Sequence, residues 1–196
     1  MDKLSVLIAD DDAVIRMDLR ALLEDLGHRV VGEAANGRDA CRLARSLRPS
    51  VAILDVMMPG SSGLEAAAIL SRERICPVVL LTAYSDAPLI DEATRAGVLA
   101  YLVKPFARSE LQPALEIATA RYRELLVVEH QRDSLAQELR SAEAIRNATA
   151  ILMRRCAINE REAQRRMQSQ SLATGRTLGE IAEAILLTEH IESPVR

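Results

Sequence analysis

The sequence predicts an α/β fold: a five-stranded parallel sheet with helices between its strands, then a long connecting helix and a small all-helical region. Three observations carry this. Short apolar runs rich in β-branched residues recur five times between Ser5 and Val103, each separated from the next by helical periodicity. Alternation of that kind builds a parallel sheet with right-handed crossovers. From Arg108 onward no strand pattern returns, and no glycine occurs until Gly175. The charge divides at a similar place. Residues 1–140 hold 17 Lys/Arg against 21 Asp/Glu, whereas residues 141–179 hold seven Arg, no Lys and three Glu. Two modules with different partners follow from that asymmetry, the second suited to an anion.

The elements can be justified in order. Ser5–Ala9 is a buried-strand run ending in Asp10-Asp11-Asp12. Val14, Ile15, Leu19, Leu22, Leu23 and Leu26 then form a helical stripe closed by Gly27. Val30–Glu33 is a short strand, and a helix spans about Gly37 to Arg45. Val51–Asp55 is apolar throughout except for its last residue, as in a strand covered on both faces. Ser62-Gly63-Leu64-Glu65 has capping-box spacing and opens a helix through Leu70. Pro77–Ala83 is the fourth strand, Pro88 starts a helix ending near Gly97, and Ala100–Val103 is the fifth strand.

Beyond them, Leu111, Leu115, Ala118, Tyr122, Leu125, Glu129, Arg132, Ala136 and Leu139 fall at 4–3 spacing. This predicts one long helix that pairs with its copy, a solvated connector being the alternative. Three shorter helices are expected after it. The first carries Ala144, Ile145, Ala148, Ile151 and Leu152; the others open at Asn159 and Thr177, each with Glu three residues on. Ser193–Arg196 reads as a frayed tail. The expected division is 1–120, a connector over 121–140, and an output unit over 141–190.

Composition excludes several classes. The 49% hydrophobic content suffices for a core, but charges interrupt every apolar stretch before it reaches membrane-spanning length. Met1–Ser5 lacks a signal-peptide pattern, and Cys41, Cys76 and Cys156 are scattered, without metal-type spacing. A cytoplasmic protein with reduced thiols and no membrane partner is expected.

Parallel sheets bind ligands at the carboxyl edge of their strands. Asp10, Asp11 and Asp55 are predicted to converge there. Three neighbouring carboxylates repel one another unless a cation joins them, and an oxygen-only donor set suits Mg²⁺. With such a cation a carboxylate can accept a phosphoryl group. Thr82 and Lys104 end strands four and five with groups able to bind phosphate oxygens. Taken singly, Asp55 could merely cap its turn, Lys104 be a surface cation and Thr82 an ordinary strand residue.

Asp10-Asp11, Asp55 with Met58-Pro59-Gly60, Thr82-Ala83, and Tyr101 with Lys104-Pro105-Phe106 together resemble the response-regulator receiver domain, over about residues 3–120. The resemblance implies a flavodoxin-like fold with strand order 2-1-3-4-5, and phosphorylation of Asp55 by a sensor histidine kinase. It implies Asp11, Asp55 and the Met57 backbone carbonyl as direct Mg²⁺ ligands, with Asp10 acting through water and Asp12 standing where a further polar residue is usual. Lys104 would bind the phosphoryl oxygens, Pro105 would follow a cis peptide, and Thr82 and Tyr101 would move on phosphorylation, with Ala83 beside them.

The C-terminal arginines suit phosphates and base edges. A charged dimerisation domain and a helix-turn-helix DNA reader remain alternatives. Ala148–Met153, Ile158–Ala163, Met167, Leu172, Arg176, Leu178, Ile181 and Ala182 resemble the ANTAR domain, an RNA-binding antitermination module, over about residues 138–190. This implies dimerisation on phosphorylation and binding of tandem RNA hairpins. Arg176 is the RNA contact carried by the resemblance, with Arg155 and Arg165 added on charge. Thr149-Ala150 stand where the family commonly has Lys-Gly, Gln164 where it has an aromatic, and Gly175 where it often has Asn. A phosphorylation-switched dimer that binds protein, or a DNA-binding factor, is the competing output. Nothing after residue 110 assembles a nucleophile, base or metal site, so no enzyme activity is expected.

Overall fold

The computed structural model describes residues 3–83 and 87–192; the expected start at Met1-Asp2 and the expected frayed tail lie outside them. The chain divides into two compact units, Met1–Leu126 and Val127–Arg196.

In the first unit, β1 (Ser5–Ala9), β2 (Arg29–Ala34), β3 (Val51–Asp55), β4 (Val78–Thr82) and β5 (Ala100–Val103) form one parallel sheet in the order β2-β1-β3-β4-β5. Between them run α1 (Ala13–Asp25), α2 (Gly37–Leu47), α3 (Gly63–Arg72) and α4 (Ala87–Arg95). Strand alternation sends side chains to two cores. Leu7, Ala9, Ala52, Leu54, Val78 and Leu80 meet α2 and α3 on one face, while Val6, Ile8, Val51, Ile53, Val79 and Leu81 meet α1 and the start of α5 (Arg108–Cys156) on the other. Every residue of β3 and β4 is buried, which their uninterrupted apolar runs require. Ser62 and Glu65 make the reciprocal capping box at the start of α3.

Two helical expectations need correction. The 4–3 stripe does not begin as a pairing seam, because Leu111, Leu115 and Ala118 are fully buried in the sheet's second core. Nor does a separate helix begin near residue 141: α5 is continuous to Cys156. No Gly or Pro occurs between Ala114 and Cys156 to stop it. The second unit is therefore a three-helix cluster whose first member is the end of α5, joined by α6 (Glu160–Thr174) and α7 (Leu178–Glu192). Its core is Ala144, Ala148, Met167, Ile181 and Ala182, flanked by Ile145, Leu152, Leu178, Ile185 and Leu186. Asn159 caps α6 through the Glu162 N–H, Gly175 ends it at φ 70°, and Thr177 and Glu180 box the start of α7. A Cβ on Gly179 would lie 2.8 Å from the Ser141 hydroxyl, so the missing side chain lets α7 approach α5 closely.

Candidate functional site

The pairing of Ala9 with Leu54 brings the next residues, Asp10 and Asp55, to one level at the carboxyl edge of the sheet. Carboxylate oxygens of Asp10, Asp11 and Asp55 all lie within 4.8 Å of one another, with Asp10 and Asp55 buried and Asp11 exposed. Lys104, following β5, donates from Nζ to Asp10 Oδ2 at 2.6 Å and to Asp55 Oδ1 at 2.5 Å. Its position is held by its own N–H, which donates to the Thr82 carbonyl at 2.7 Å. The Lys104–Pro105 peptide is cis.

The electrostatics follow from this crowding. Burial pushes the Asp55 carboxyl above its usual range; the Lys104 hydrogen bond pulls the other way, and the Asp10 charge adds to the rise. Burial opposes the Lys104 charge, yet hydrogen bonds to Asp10 and Asp55 leave it above the usual lysine value. One ammonium faces two buried carboxylates, so the site keeps a surplus of negative charge. Three oxygen ligands with a surplus of negative charge and an exposed member fit a hard divalent cation such as Mg²⁺.

The remaining residues divide. Thr82 is buried at the end of β4, with Ala83 exposed after it, and Tyr101 is 45% exposed on β5. Met57 donates its N–H to Asp55 Oδ2 at 2.9 Å while its side chain faces solvent. Asp12 is the N-cap of α1, accepting from the Val14 N–H at 2.8 Å. Two contributors escaped the sequence reading. Arg16 Nη1 donates to the Asp10 carbonyl at 2.7 Å and to the Asp11 carbonyl at 3.3 Å, and its Nε lies 3.5 Å from Glu33. A Cβ on Gly63 would collide with the Asp55 carbonyl, so only glycine lets α3 start so close to the Asp55 turn. Gly63 was legible as a helix-start residue, but no pattern announces what it faces.

In the second unit the expected RNA contacts are separated. Arg155, together with Arg154, is paired with Glu189 of α7, Arg155 at 3.4 Å. Arg165 stands 3.9 Å from Glu162. Arg176 carries no ion pair among the described residues, nor do Arg146 and Arg161. Thr149 is buried, with its hydroxyl donating to the Ile145 carbonyl at 2.7 Å, so it does not leave a gap in the charged surface; Ala150 is exposed. Gln164 is exposed and donates to Glu160 at 3.3 Å.

A buried aspartate at the carboxyl edge of a 2-1-3-4-5 parallel sheet, bridged to a second by a lysine, defines the receiver class of fold. Residues 6–116 match the response regulator receiver domain and residues 133–186 match the ANTAR domain. The chain is 39% identical to the transcriptional regulatory protein PdtaR of Mycobacterium tuberculosis over 93% of its own length and 89% of that protein. Among solved structures it is similar to the signal receiver domain of a modulated diguanylate cyclase from Desulfovibrio desulfuricans G20 (35% identity, TM-score 0.58, 62% of this chain and 98% of that one). The receiver domain of the putative response regulator NarL from M. tuberculosis is also similar (30% identity, TM-score 0.57, 61% and 98%). The chain belongs to the response regulators, as a receiver domain followed by an ANTAR domain. That pairing makes it a phosphorylation-controlled regulator with an RNA-binding antitermination output. No helix of the described residues is long and apolar enough to cross a membrane.

Proposed function

We propose that Asp55 is the phosphoacceptor. A phosphoryl group would leave the phosphohistidine nitrogen of a sensor kinase as an Asp55 carboxylate oxygen forms the new bond to phosphorus. The observation that carries this reading is the Lys104 ammonium held between Asp10 and Asp55, beside the exposed Asp11. Asp10, Asp11, Asp55 and the Met57 carbonyl would hold Mg²⁺, which supplies charge neutralisation for the transferring oxygens when bound. Lys104 then exchanges a carboxylate for phosphoryl oxygen. Thr82 and Ala83 at the end of β4, and the exposed Tyr101 on β5, are the switch residues that respond to it. Pro105 shapes the turn that carries Lys104.

In this reading residues 1–120 receive the phosphate, residues 121–140 connect, and residues 141–190 act on RNA hairpins as a cytoplasmic antiterminator. Pairing of two copies along the connector is supported by the exposed Val128, Leu135 and Leu139 of α5. The M. tuberculosis relative is a transcriptional regulatory protein, in agreement with control of transcription. The chain acts as acceptor and switch, with no substrate of its own to turn over. The test is retention of a labelled two-hairpin RNA by the full chain, with and without Mg²⁺ and an acyl-phosphate donor. Binding that rises with phosphorylation and falls steeply with salt supports the reading; absence of binding in both states overturns the RNA output.

A further inference from the structure

We propose that the groove between α6 and α7 takes an unpaired nucleobase of the RNA, with Arg176 and Arg166 holding the flanking phosphates. This rests on the RNA-binding reading and names the surface that performs it.

The groove is open to solvent and offers a volume of about 350 Å³, near the lower end of the roughly 300–1,000 Å³ typical of small-ligand pockets. Its floor is apolar: Leu152, the buried Met167 and Ile181, and the half-buried Ile185. Its rim is polar, with Gln170 and Thr174 on α6 facing Thr188 on α7. Arg166 and Arg176 belong to the same lining, ten positions apart in the chain, and no carboxylate does. An apolar slot edged by amide, hydroxyl and guanidinium groups matches a base with its phosphates.

Charge complementarity favours this occupant over an apolar or basic peptide. Residues 141–179 hold seven Arg against three Glu. Arg176 is poised in particular: the Ser171 hydroxyl donates to its carbonyl at 2.6 Å and Gly175 turns the chain before it, so its backbone is pinned, while its guanidinium makes no close ion pair among the described residues and acts on exposed Glu180 only through its charge. Arg166, itself exposed, is tied to half-buried Glu162 at 3.3 Å, a partly solvated contact that phosphate can replace at little cost. Arg155, by contrast, already has Glu189. No aromatic follows Tyr122, so an exposed stacking ring is not available, and an apolar slot with a guanidinium plane beside it serves instead.

The experiment uses the full phosphorylated chain and a labelled pool of two-hairpin RNAs with randomised loops, against a loopless duplex RNA of equal length. Three variants are compared across a salt series: Arg176→Gln, Ala184→Phe, which fills the groove without changing charge, and Arg42→Gln on α2 of the first unit, where the guanidinium pairs with Asp39. The expected result is about tenfold or greater weakening for Arg176→Gln, with the salt slope reduced by about 0.7–0.9. Ala184→Phe loses about tenfold with its slope unchanged, as for a lost base contact. Arg42→Gln stays near wild type, and the duplex binds weakly throughout. Wild-type binding with both groove variants unaffected overturns the groove and leaves the RNA reading standing. No RNA binding by the wild type overturns both, and directs the output to protein. If Ala184→Phe loses helicity, Gln170→Ala on the same rim replaces it, and unchanged loop-RNA binding by that variant overturns the groove.

Discussion

The acidic site of the receiver and the arginine-lined groove of the ANTAR unit solve opposite problems. At the first, like charges are forced together inside the protein: Asp10 and Asp55 are buried at the end of adjacent strands, and Lys104 spans them at 2.6 and 2.5 Å. At the second, Arg176 is exposed with no ion-pair partner among the described residues, and the shape comes from packed helix faces. A buried charge cluster stores unfavourable energy that a cation or phosphate can relieve, so it can act as a switch. An exposed charge stores little and acts by attracting polyanions. The difference assigns sensing to one unit and contact to the other.

The largest expected effect breaks the comparison at its centre. Asp55→Asn abolishes labelling by an acyl-phosphate donor; labelling that persists undiminished moves the acceptor elsewhere. The same variant sharpens the claim of stored energy. Because the Asp55 carboxyl is raised in the folded state, its contribution to stability is fully present below the unfolded value, near pH 4, and is lost as pH rises through the folded one. In metal-free buffer Asp55→Asn should therefore melt above wild type at neutral pH, with the gap closing toward pH 4. A variant that melts lower at neutral pH contradicts the burial argument. Added Mg²⁺ should raise the wild-type melting temperature, by the equivalent of about 2.7 kcal/mol at a hundredfold excess over its dissociation constant, and should raise Asp55→Asn less.

Gly63→Ala comes next. Its methyl meets the Asp55 carbonyl, so urea unfolding should show roughly 1–3 kcal/mol of destabilisation, together with slower labelling. In the second unit Gly175→Ala should cost about 1 kcal/mol through its left-handed backbone, without touching phosphorylation. The smallest effect concerns the thiols. Burial pushes Cys76 up to about 12 and raises Cys41, so a maleimide should modify exposed Cys156 alone until the protein unfolds.

Strand and helix placement and the three aspartates were legible because each rests on a local pattern: apolar runs for strands, 3.6-residue periodicity for helices, and acidic residues at strand ends; the strand order followed only from the resemblance to receiver domains. The capping boxes at Ser62 and Thr177 were legible for the same reason. What failed was non-local. Leu111, Leu115 and Ala118 carry a spacing that suits a coiled coil and a receiver core alike, and only the sheet beneath them decides. The expected helix break near residue 141 is absent because no residue there interrupts the backbone hydrogen bonding.

By itself, then, the sequence determined that a parallel α/β receiver with an acidic carboxyl edge precedes an arginine-rich helical module. Periodicity and residue chemistry are properties of neighbours along the chain, which is why they can be read there. Only tertiary structure decided which charges meet. It set Lys104 against both Asp10 and Asp55, placed Arg16 on the carbonyls of Asp10 and Asp11, drew Arg155 onto Glu189 and left Arg176 unpaired at an apolar groove. Coulomb energy and burial depend on distance through space, and folding sets those distances between residues up to 94 positions apart.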